Sequence, residues 1–434
     1  MNDPTTNARP TKDEVKDMTD MTDDAVVILV GSGGRPYREY LLAGAARRHP
    51  VWILDAVDPT WQEPYVRGST TVPLLDAERL VPDQEALVAA AEEVARTHRV
   101  AGVFSYDETL VVATAHIAER LGLPGLTVAG VENCRNKHNT RQVLTAAGLP
   151  QPRFAYVTEA DEALATADSF GYPVVLKPRG MGASIGVIRV DGPDEVLTAF
   201  DVADSASRGG SLSYEGGVLV EECVTGPEIS IDGVNFDGGY TPLFLAHKEL
   251  GPAPYFEETG HTLDAADPLL ADEELLHVLR TAHRELGIAY GITHTEVKLT
   301  ARGPVIIEVN ARLGGDLIPY LGKLATGVDP AALAVDAATG VRPEWTPDHH
   351  RTVGIRFLYP HANGTVRSVD VPAPGDSPGL LEAVPMVEPG TTLLLPPEGY
   401  LARYAYVICA GEDPDGVAEA LDKAAALTTL VLDS

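Results

Sequence analysis

Apolar and polar positions follow their most regular pattern in residues 292 to 316. Thr293 to Thr300 alternates, which predicts a strand with one buried face. The run from Val305 to Val309 is apolar and largely β-branched, which predicts a second strand buried on both faces. Between them, Ala301-Arg302-Gly303 is typical of a three-residue hairpin loop with glycine in its left-handed position. The pattern therefore predicts a buried β-hairpin.

The predicted loop fixes which side chains of the hairpin face one another. Directly opposed side chains lie about 4.5–5.5 Å apart at Cβ, so two opposed carboxylates need a proton or a cation between them. Glu296 and Glu308, with the amide oxygen of Asn310 beside them, form a set that suits Mg²⁺, which prefers oxygen ligands and leaves room for phosphates. The pairs that the loop implies are Thr300–Pro304, Lys298–Ile306, Glu296–Glu308 and His294–Asn310.

Arg312 follows two residues after Asn310 and offers a planar donor for an anionic group. One alternative is that this arginine lies on the surface and pairs with Asp316 or another acid. The alternative for the whole stretch is a solvated edge hairpin with scattered charges. The apolar side chains of Ile306, Ile307 and Val309 favour burial instead.

The first part of the chain has the pattern of a doubly wound α/β domain. The apolar strand Ala25 to Val30 precedes the turn Gly31-Ser32-Gly33-Gly34, a helix, and a second strand that ends at Asp55. A dinucleotide fingerprint would use Asp55 for the ribose, but it needs a third glycine where Pro36 stands. The pattern favours a domain whose glycine turn lies near some other small ligand.

A second glycine-rich segment, Arg179 to Val187, lies between two predicted strands. It holds three glycines and small residues but no Gly-Lys-Ser/Thr, and no helix follows, so it is not a P-loop. We predict a β-turn flap whose backbone amides approach phosphate oxygens. Lys177 just before the flap and Lys137 upstream supply positive charge.

Three further segments complete the pattern. Val218 to Val224 predicts a strand, and Glu221 and Glu222 within it would by themselves be ordinary surface charges. Residues 251 to 263 predict a loop that carries Glu258 and His261. Past Pro343 the short apolar runs, at 353–359, 364–369, 386–387, 392–395 and 404–410, predict strands, followed by a closing helix at 417–426. This last part has few clustered reactive side chains and predicts a structural cap.

Composition narrows the classes of function. The chain has 434 residues, a formal charge of −30 and a sequence pI of about 4.6, so its surface repels nucleic acid and anionic membranes. Three widely spaced cysteines argue against a disulfide framework and favour a reducing cytoplasm. Residues 1 to 24 lack an apolar core and predict a disordered tail rather than a signal peptide.

Taken in order, these motifs resemble the ATP-grasp carboxylate–amine ligases. Within that superfamily they are most similar to the bacterial L-amino acid ligases, which make dipeptides from free amino acids. The residues that carry the resemblance are Lys137 with Arg141, Lys177 with the glycine flap, Glu221-Glu222 with Gly226-Pro227-Glu228, Glu258-Thr259-Gly260-His261, and Glu296 with Ile307-Glu308-Val309-Asn310-Ala311-Arg312.

The resemblance implies a role for each candidate residue. It implies ATP-binding roles for Lys137, Lys177, Gly182, Ala183, Ser184, Glu221, Glu222, Val224 and Glu228, with the lysines at the phosphates, Glu221 and Val224 at the adenine and Glu228 at the ribose. It implies a metal site of Glu296, Glu308 and Asn310 for Mg²⁺, with Mn²⁺ as the alternative. It implies catalytic roles for Arg312 and for Glu258 and His261, the last two near a substrate amino group. Asp316 stands where some dipeptide ligases carry an aromatic residue that limits the pocket, and an acid there favours a cationic or otherwise polar partner.

The resemblance also implies an α/β architecture that is α+β in its nucleotide-binding part. The expected ATP-grasp fold has an N-terminal doubly wound domain and a C-terminal cap. We expect a cytoplasmic homodimer that binds small carboxylates and amines, amino acids among them, and neither nucleic acid nor membrane. The predicted segments are a tail at 1–24, an N-terminal Rossmann-like domain at 25–132, a small subdomain with the flap at 133–216, a large subdomain with the metal site at 217–343, and a cap at 344–434.

Other readings of the same motifs stay open. A related ATP-grasp enzyme could use a different acceptor, as a purine-pathway ligase or a biotin-type carboxylase does. The chain has no Met-Lys-Met biotin-carrier signature, which weakens the carboxylase reading. A non-catalytic ATP-binding module would more readily have lost the acid pair or Arg312, and this chain keeps both.

Overall fold

A computed structural model describes residues 25–76, 81–182, 184–208, 214, 216–251, 257–395 and 401–433. The predicted tail at residues 1 to 24 lies outside the described residues, as does Ala183 of the flap. Among the described residues, no helix is both long enough and apolar enough to span a bilayer.

The first sheet is a parallel sheet with strand order β3-β2-β1-β4. Its elements are β1 Ala25–Val30, α1 Arg35–Arg48, β2 Val51–Asp55, β3 Gly68–Thr71, α2 Gln84–Thr97, β4 Arg99–Phe104 and α3 Val111–Leu121. All of β1 is buried, and its side chains alternate between the core that holds α1 and the core that holds α2 and α3. Helices therefore cover both faces, and the predicted doubly wound arrangement is confirmed.

Asp55 forms hydrogen bonds to the glycine turn of this domain. The Asp55 carboxylate accepts hydrogen bonds from the backbone nitrogen of Ser32, at 3.0 Å, and from the Ser32 hydroxyl. Gln62 donates to the same hydroxyl at 2.8 Å. Because Asp55 is only 9% exposed and already paired, it holds the turn rather than a ribose.

The middle of the chain forms a small antiparallel sheet with strand order β5-β8-β6-β7. Its elements, with the two helices before it, are α4 Val128–Arg135, α5 Lys137–Ala146, β5 Phe154–Val157, α6 Ala160–Phe170, β6 Val174–Pro178, β7 Ile188–Val190, α7 Pro193–Arg208 and β8 Val218–Glu222. The segment between β6 and β7 is the predicted glycine flap.

A large antiparallel sheet with strand order β13-β12-β9-β10-β11-β14-β18-β16 forms the other half of the molecule, and a small sheet, β17-β15-β19, lies beside it. The elements here are β9 Glu228–Phe236, β10 Gly239–Leu250, β11 Glu258–Asp264, α8 Glu273–Leu286, β12 Gly291–Thr300, β13 Gly303–Asn310, α9 Ile318–Thr326, α10 Pro330–Ala338, β14 Thr352–Leu358, β15 Gly364–Asp370, β16 Leu380–Pro385, β17 Thr392–Leu393, β18 Ala405–Gly411, α11 Pro414–Leu427 and β19 Thr429–Asp433. This architecture agrees with the expected mixed α/β fold. The domain boundaries remain a prediction, and the large sheet continues across the one proposed at residue 343.

The hairpin of β12 and β13 has the predicted facing pairs at its open end but a different register at its turn. Glu296 pairs with Glu308 and His294 with Asn310, as predicted. Near the turn, however, Thr300 pairs with Gly303 and Val297 with Ile306, so the predicted pairs Thr300–Pro304 and Lys298–Ile306 are wrong. A bulge between Glu296 and Val297 leaves Ile307 as an extra residue on β13 and restores the predicted register beyond it.

Two other predictions of local structure are wrong. Residues 258 to 263, expected in a loop, belong to strand β11, which pairs with β10 on one side and β14 on the other. Its polar sequence hid the strand, because two of its side chains belong to the site described next. In the last part of the chain, the strand expected at 386–387 lies instead at Leu380–Pro385, and β19 follows the closing helix.

One hydrophobic core joins the first sheet to the large sheet. It contains Leu41 and Leu42 of α1 together with Leu321 of α9, Ala331 of α10 and Ile355 of β14, all close to fully buried. The N-terminal domain is therefore packed directly against the elements that follow the β12–β13 hairpin.

Candidate active site

A cavity of about 730 Å³ lies between the small sheet and the large sheet. Nearly every described residue that the sequence singled out lines it, from both sheets and from the flap. The lining includes Lys137, Lys177, Gly182, Ser184, Glu221, Glu222, Val224, Glu228, Glu258, Glu296, Glu308, Asn310 and Arg312. His261 is fully buried and lies behind Glu258. The fold thus brings residues that are up to 175 positions apart in sequence around one space.

Lys177 at the end of β6 belongs to a buried group of charges. Its ammonium lies 2.7 Å from one oxygen of Glu221, and the guanidinium of Arg141 lies 2.8 Å from the other. Burial raises the pKa of Glu221, but Arg141 and Lys177 more than offset this and hold it at about 2. Glu221 is therefore not a surface charge, and its carboxylate is committed to two cations. Glu222, the next residue, pairs instead with Arg302 at 3.0 Å.

Lys137, at the start of α5, contacts Glu308 on the β12–β13 hairpin. Its ammonium donates to the carbonyl of Met181 at 2.7 Å and to Glu308 at 2.9 Å. Asn136, just before it, caps α5 by accepting from the backbone nitrogen of His138. Lys137 thus links the flap to Glu308 of the acid pair. A phosphate chain would lie between the flap and this pair.

The flap is formed by consecutive turns. The backbone nitrogen of Ile185 donates to Gly182 at 3.1 Å, and that of Val187 donates to Ser184 at 3.1 Å. Ser184 and Gly186 have positive φ of 53° and 73°. A side chain at Gly186 would meet the Cβ of Ala206 at 2.6 Å, so glycine is needed there for close packing as well.

Glu296 and Glu308 face each other across the hairpin, and their surroundings shift their pKa values in opposite directions. For Glu308, Lys137 and its neighbours outweigh burial and lower the pKa, whereas burial together with the charges of Glu308, Glu228 and Glu258 raises the pKa of Glu296. The Asn310 side-chain amide lies 3.0 Å from a Glu308 oxygen and, with its nitrogen turned that way, donates to it. Two carboxylates and an amide therefore lie close together, and their oxygen atoms are of the kind that a hard divalent cation prefers.

Lys248 on β10 is a central residue that the sequence analysis missed. Its side chain is 3% exposed, and its ammonium contacts three carboxylates, at 2.8 Å from Glu228, 2.6 Å from Glu258 and 3.2 Å from Glu296. Burial lowers the pKa of Lys248, but these acids raise it well above its usual value. It followed an apolar run in the sequence and carried no motif, so no sequence signal pointed to it.

Arg312 is held by an acid of the N-terminal domain. Its Nε lies 2.7 Å from Glu108, which also binds Arg135 at 3.0 Å. The alternative of a surface arginine paired with Asp316 or another acid is therefore correct about an acid partner, which is Glu108, but wrong about the surface, because the Arg312 side chain is only 16% exposed. Glu108 lies about two hundred positions earlier in the chain, and nothing in the sequence paired the two.

The other end of the cavity carries Glu258, His261 and Asp316. The Nε2 atom of His261 lies 3.4 Å from Glu258 and 3.5 Å from Asp316. Burial lowers the pKa of His261, but the two carboxylates raise it above its usual value. Arg403, from the predicted cap, pairs with Asp316 at 2.6 Å and 2.7 Å and was also missed.

Comparison with known proteins agrees with this arrangement. Residues 128–183 and 170–320 match ATP-grasp domains, 68–125 match the ATP-grasp N-terminal domain, and 356–433 match the L-amino acid ligase C-terminal domain 2. The uncharacterized protein y4rH of Sinorhizobium fredii is 30% identical over 87% of this chain and 76% of its own length. The alanine–anticapsin ligase of Bacillus subtilis is 29% identical over 58% of this chain, and the alignment spans 57% of that ligase. The solved L-amino acid ligase from Bacillus licheniformis has the same fold, with a TM-score of 0.77, 22% identity, and coverage of 95% of this chain and 100% of that one.

Proposed function

The chain belongs to the ATP-grasp superfamily of carboxylate–amine ligases, and on that premise we propose that it joins the carboxylate of one amino acid to the amine of another at the expense of ATP. The observation that carries the proposal is the order of charges along the cavity. Lys177 and Lys137 lie at one end, the facing acids Glu296 and Glu308 lie in the middle, and Glu258 with His261 lies at the other end.

We assign the nucleotide to the side of the cavity formed by the small sheet. Lys137 and Lys177 neutralise the phosphates, and the flap residues Gly182, Ala183 and Ser184 cover them. The adenosine lies against the remaining residues of the predicted set, Glu221, Glu222, Val224 and Glu228. In support, the described members of this set line one continuous surface.

We assign Mg²⁺, or Mn²⁺ in its place, to Glu296, Glu308 and Asn310. In support, two carboxylates and an amide lie together on the hairpin, and Lys137 and Lys248 pair with the two carboxylates. When bound, the ion would neutralise phosphate oxygens during transfer.

The proposed reaction has two steps. A carboxylate oxygen of the first amino acid attacks the γ-phosphorus, the bond to the bridging oxygen of ADP breaks, and an acyl phosphate forms. The amine of the second amino acid, after losing a proton, then attacks the acyl carbon, and the amide forms as inorganic phosphate leaves. Arg312 can fork onto the oxygens that gain charge in both steps. The flap keeps out water, which would hydrolyse the acyl phosphate.

The test is a panel of amino acids, singly and in pairs, with ATP and Mg²⁺. We expect ADP and phosphate release that requires amino acids, and a product whose mass equals the sum of two amino acids less one water. Release that requires bicarbonate instead would favour a carboxylase. ATP binding by calorimetry without any turnover would favour a non-catalytic module and contradict the proposal.

Three statements remain predictions from the sequence. They are that the chain forms a homodimer, that it is cytoplasmic, and that it binds neither nucleic acid nor membrane. Gel filtration with light scattering measures the first of these directly.

A further inference from the structure

The wall of the cavity beside Glu258 contains an ion pair between two parts of the chain that are far apart in sequence. Arg403 Nη1 lies 2.6 Å from Asp316 Oδ1, and its Nη2 lies 2.7 Å from Asp316 Oδ2. This is a two-pronged contact of the strong, geometrically specific kind. Both residues line the cavity, and their side chains are 17% and 18% exposed.

Arg403 is fixed by contacts beyond Asp316. Its Nε donates to the hydroxyl of Tyr359 at 3.0 Å, and its Nη2 donates to the carbonyl of Glu258 at 3.2 Å. Its guanidinium lies 3.7 Å from the centroid of the Phe357 ring. The arginine therefore cannot swing away without losing several contacts, and both Asp316 oxygens stay occupied.

Apolar side chains of the cavity wall lie next to this pair along the chain. Ile318 follows Asp316 by two residues, and Leu401 precedes Arg403 by two. Met386 also lines the cavity, and its backbone nitrogen donates to Tyr404, the residue after Arg403, at 2.8 Å. The acid is thus accompanied by apolar surface and by its own counter-charge.

We propose that Arg403 determines which amino acid this pocket accepts, by cancelling the charge of Asp316 so that uncharged side chains are selected and cationic ones are rejected. The inference rests on the proposed function, because it concerns the amino acid bound beside Glu258 and His261. It differs from the expectation stated for Asp316 above, in which an acid at this position favours a cationic or otherwise polar partner.

The physical reason is the cost of leaving a charge unpaired. A lysine or arginine side chain could reach Asp316 only by displacing a guanidinium that two oxygens, one hydroxyl and one carbonyl already hold. The displaced Arg403, whose side chain is only 17% exposed, would then be left without its carboxylate partner, which is strongly unfavourable. Cationic substrates are therefore disfavoured by the cost of displacing Arg403, and no additional attraction to uncharged substrates is needed.

The experiment compares wild type with Arg403→Met, Asp316→Asn and the double variant. Asn tolerates the positive φ of 51° at position 316, and Met is unbranched and fills space flexibly, so both changes suit their sites. Binding of leucine, methionine, lysine, arginine, aspartate and glutamate is measured by calorimetry with a non-hydrolysable ATP analogue and Mg²⁺. Amide formation is measured for the same amino acids with ATP.

For wild type we expect leucine or methionine to bind at least about tenfold more tightly than lysine or arginine. Arg403→Met should shift that ratio towards the cationic amino acids by at least about tenfold, and Asp316→Asn should shift it towards aspartate and glutamate. The double variant should return to uncharged side chains.

Two results would overturn the inference: a wild-type preference for lysine or arginine, or an Arg403→Met protein with wild-type selectivity. If Arg403→Met does not fold, Asp316→Asn decides, because an unchanged preference there also contradicts the proposal. The binding measurement separates this failure from failure of the proposed function. Selective binding without amide formation would refute the ligase assignment alone.

Discussion

Arg312 is the residue on which the proposed chemistry depends most directly. Its guanidinium is oriented by Glu108 and lies beside the metal strand, so it can meet charge that develops on the transferring phosphoryl group. Losing one such oriented donor commonly lowers the rate by about 10²–10³, which is roughly 2.7–4 kcal/mol. We expect Arg312→Ala to lower turnover by at least about a hundredfold at saturating ATP, with near-normal ATP affinity and melting temperature.

Arg312→Lys is the matched variant, because it keeps the charge but loses the fork and should also be slow. Glu108 retains Arg135 as a partner when Arg312 is replaced, so the acid is not left unpaired. Amide formation within a few-fold of wild type in Arg312→Ala would remove this arginine from the mechanism.

At the scale of the element, the β12–β13 hairpin carries the facing acids Glu296 and Glu308. Glu308→Gln removes one charge but keeps the shape of the side chain, and Lys137 can still donate to the amide oxygen. We therefore expect a folded protein with turnover that is lost at ordinary Mg²⁺ concentrations. Circular dichroism measures the fold, and a Mg²⁺ titration of ADP release measures the site.

Glu257→Gln is the control for that experiment, since Glu257 also lines the cavity and has no proposed role in binding metal or nucleotide. It should show a Mg²⁺ dependence close to wild type. Equal Mg²⁺ dependence in Glu308→Gln and wild type would contradict the metal assignment.

The hairpin also shows how far the sequence leads. The apolar pattern and the turn residues were sufficient for both strands and for the facing of Glu296 and Glu308. The bulge at Ile307 was not predictable, because it shifts the register without changing which residues are apolar. Strand β11 was missed because His261, which is fully buried, stands where an alternating pattern would place an apolar residue.

At the scale of the whole molecule, contacts between distant segments complete the site. Glu108, Lys248 and Arg403 hold Arg312, Glu296 and Asp316, respectively. None of the three belonged to a sequence motif, because a lone charged residue has no local pattern to mark it. The contacts of these three residues could be seen only in the folded structure.

The large sheet gives the last part of the chain a structural role that can be tested by truncation. Strand β11 is paired along Gly260 to Asp264 with β14. A chain that ends at residue 343 would leave β11 as an open edge, and open edges favour association with other strands. We expect that chain to aggregate on gel filtration and to lack activity. A chain of residues 25–434 is the control and should remain soluble and active; a soluble, active 1–343 protein would contradict the expectation.

Lys248 has a consequence for the order in which ligands arrive. The ammonium of Lys248 contacts Glu228, Glu258 and Glu296 and serves as their internal counter-ion. The three carboxylates therefore need no cation from solution as a counter-ion in the folded chain. A bare divalent ion would have to compete with that ammonium for Glu296. An ion that arrives on the phosphates of a nucleotide brings new anionic partners for Lys137 and Lys177 at the same moment, so nucleotide and metal are expected to load as one complex.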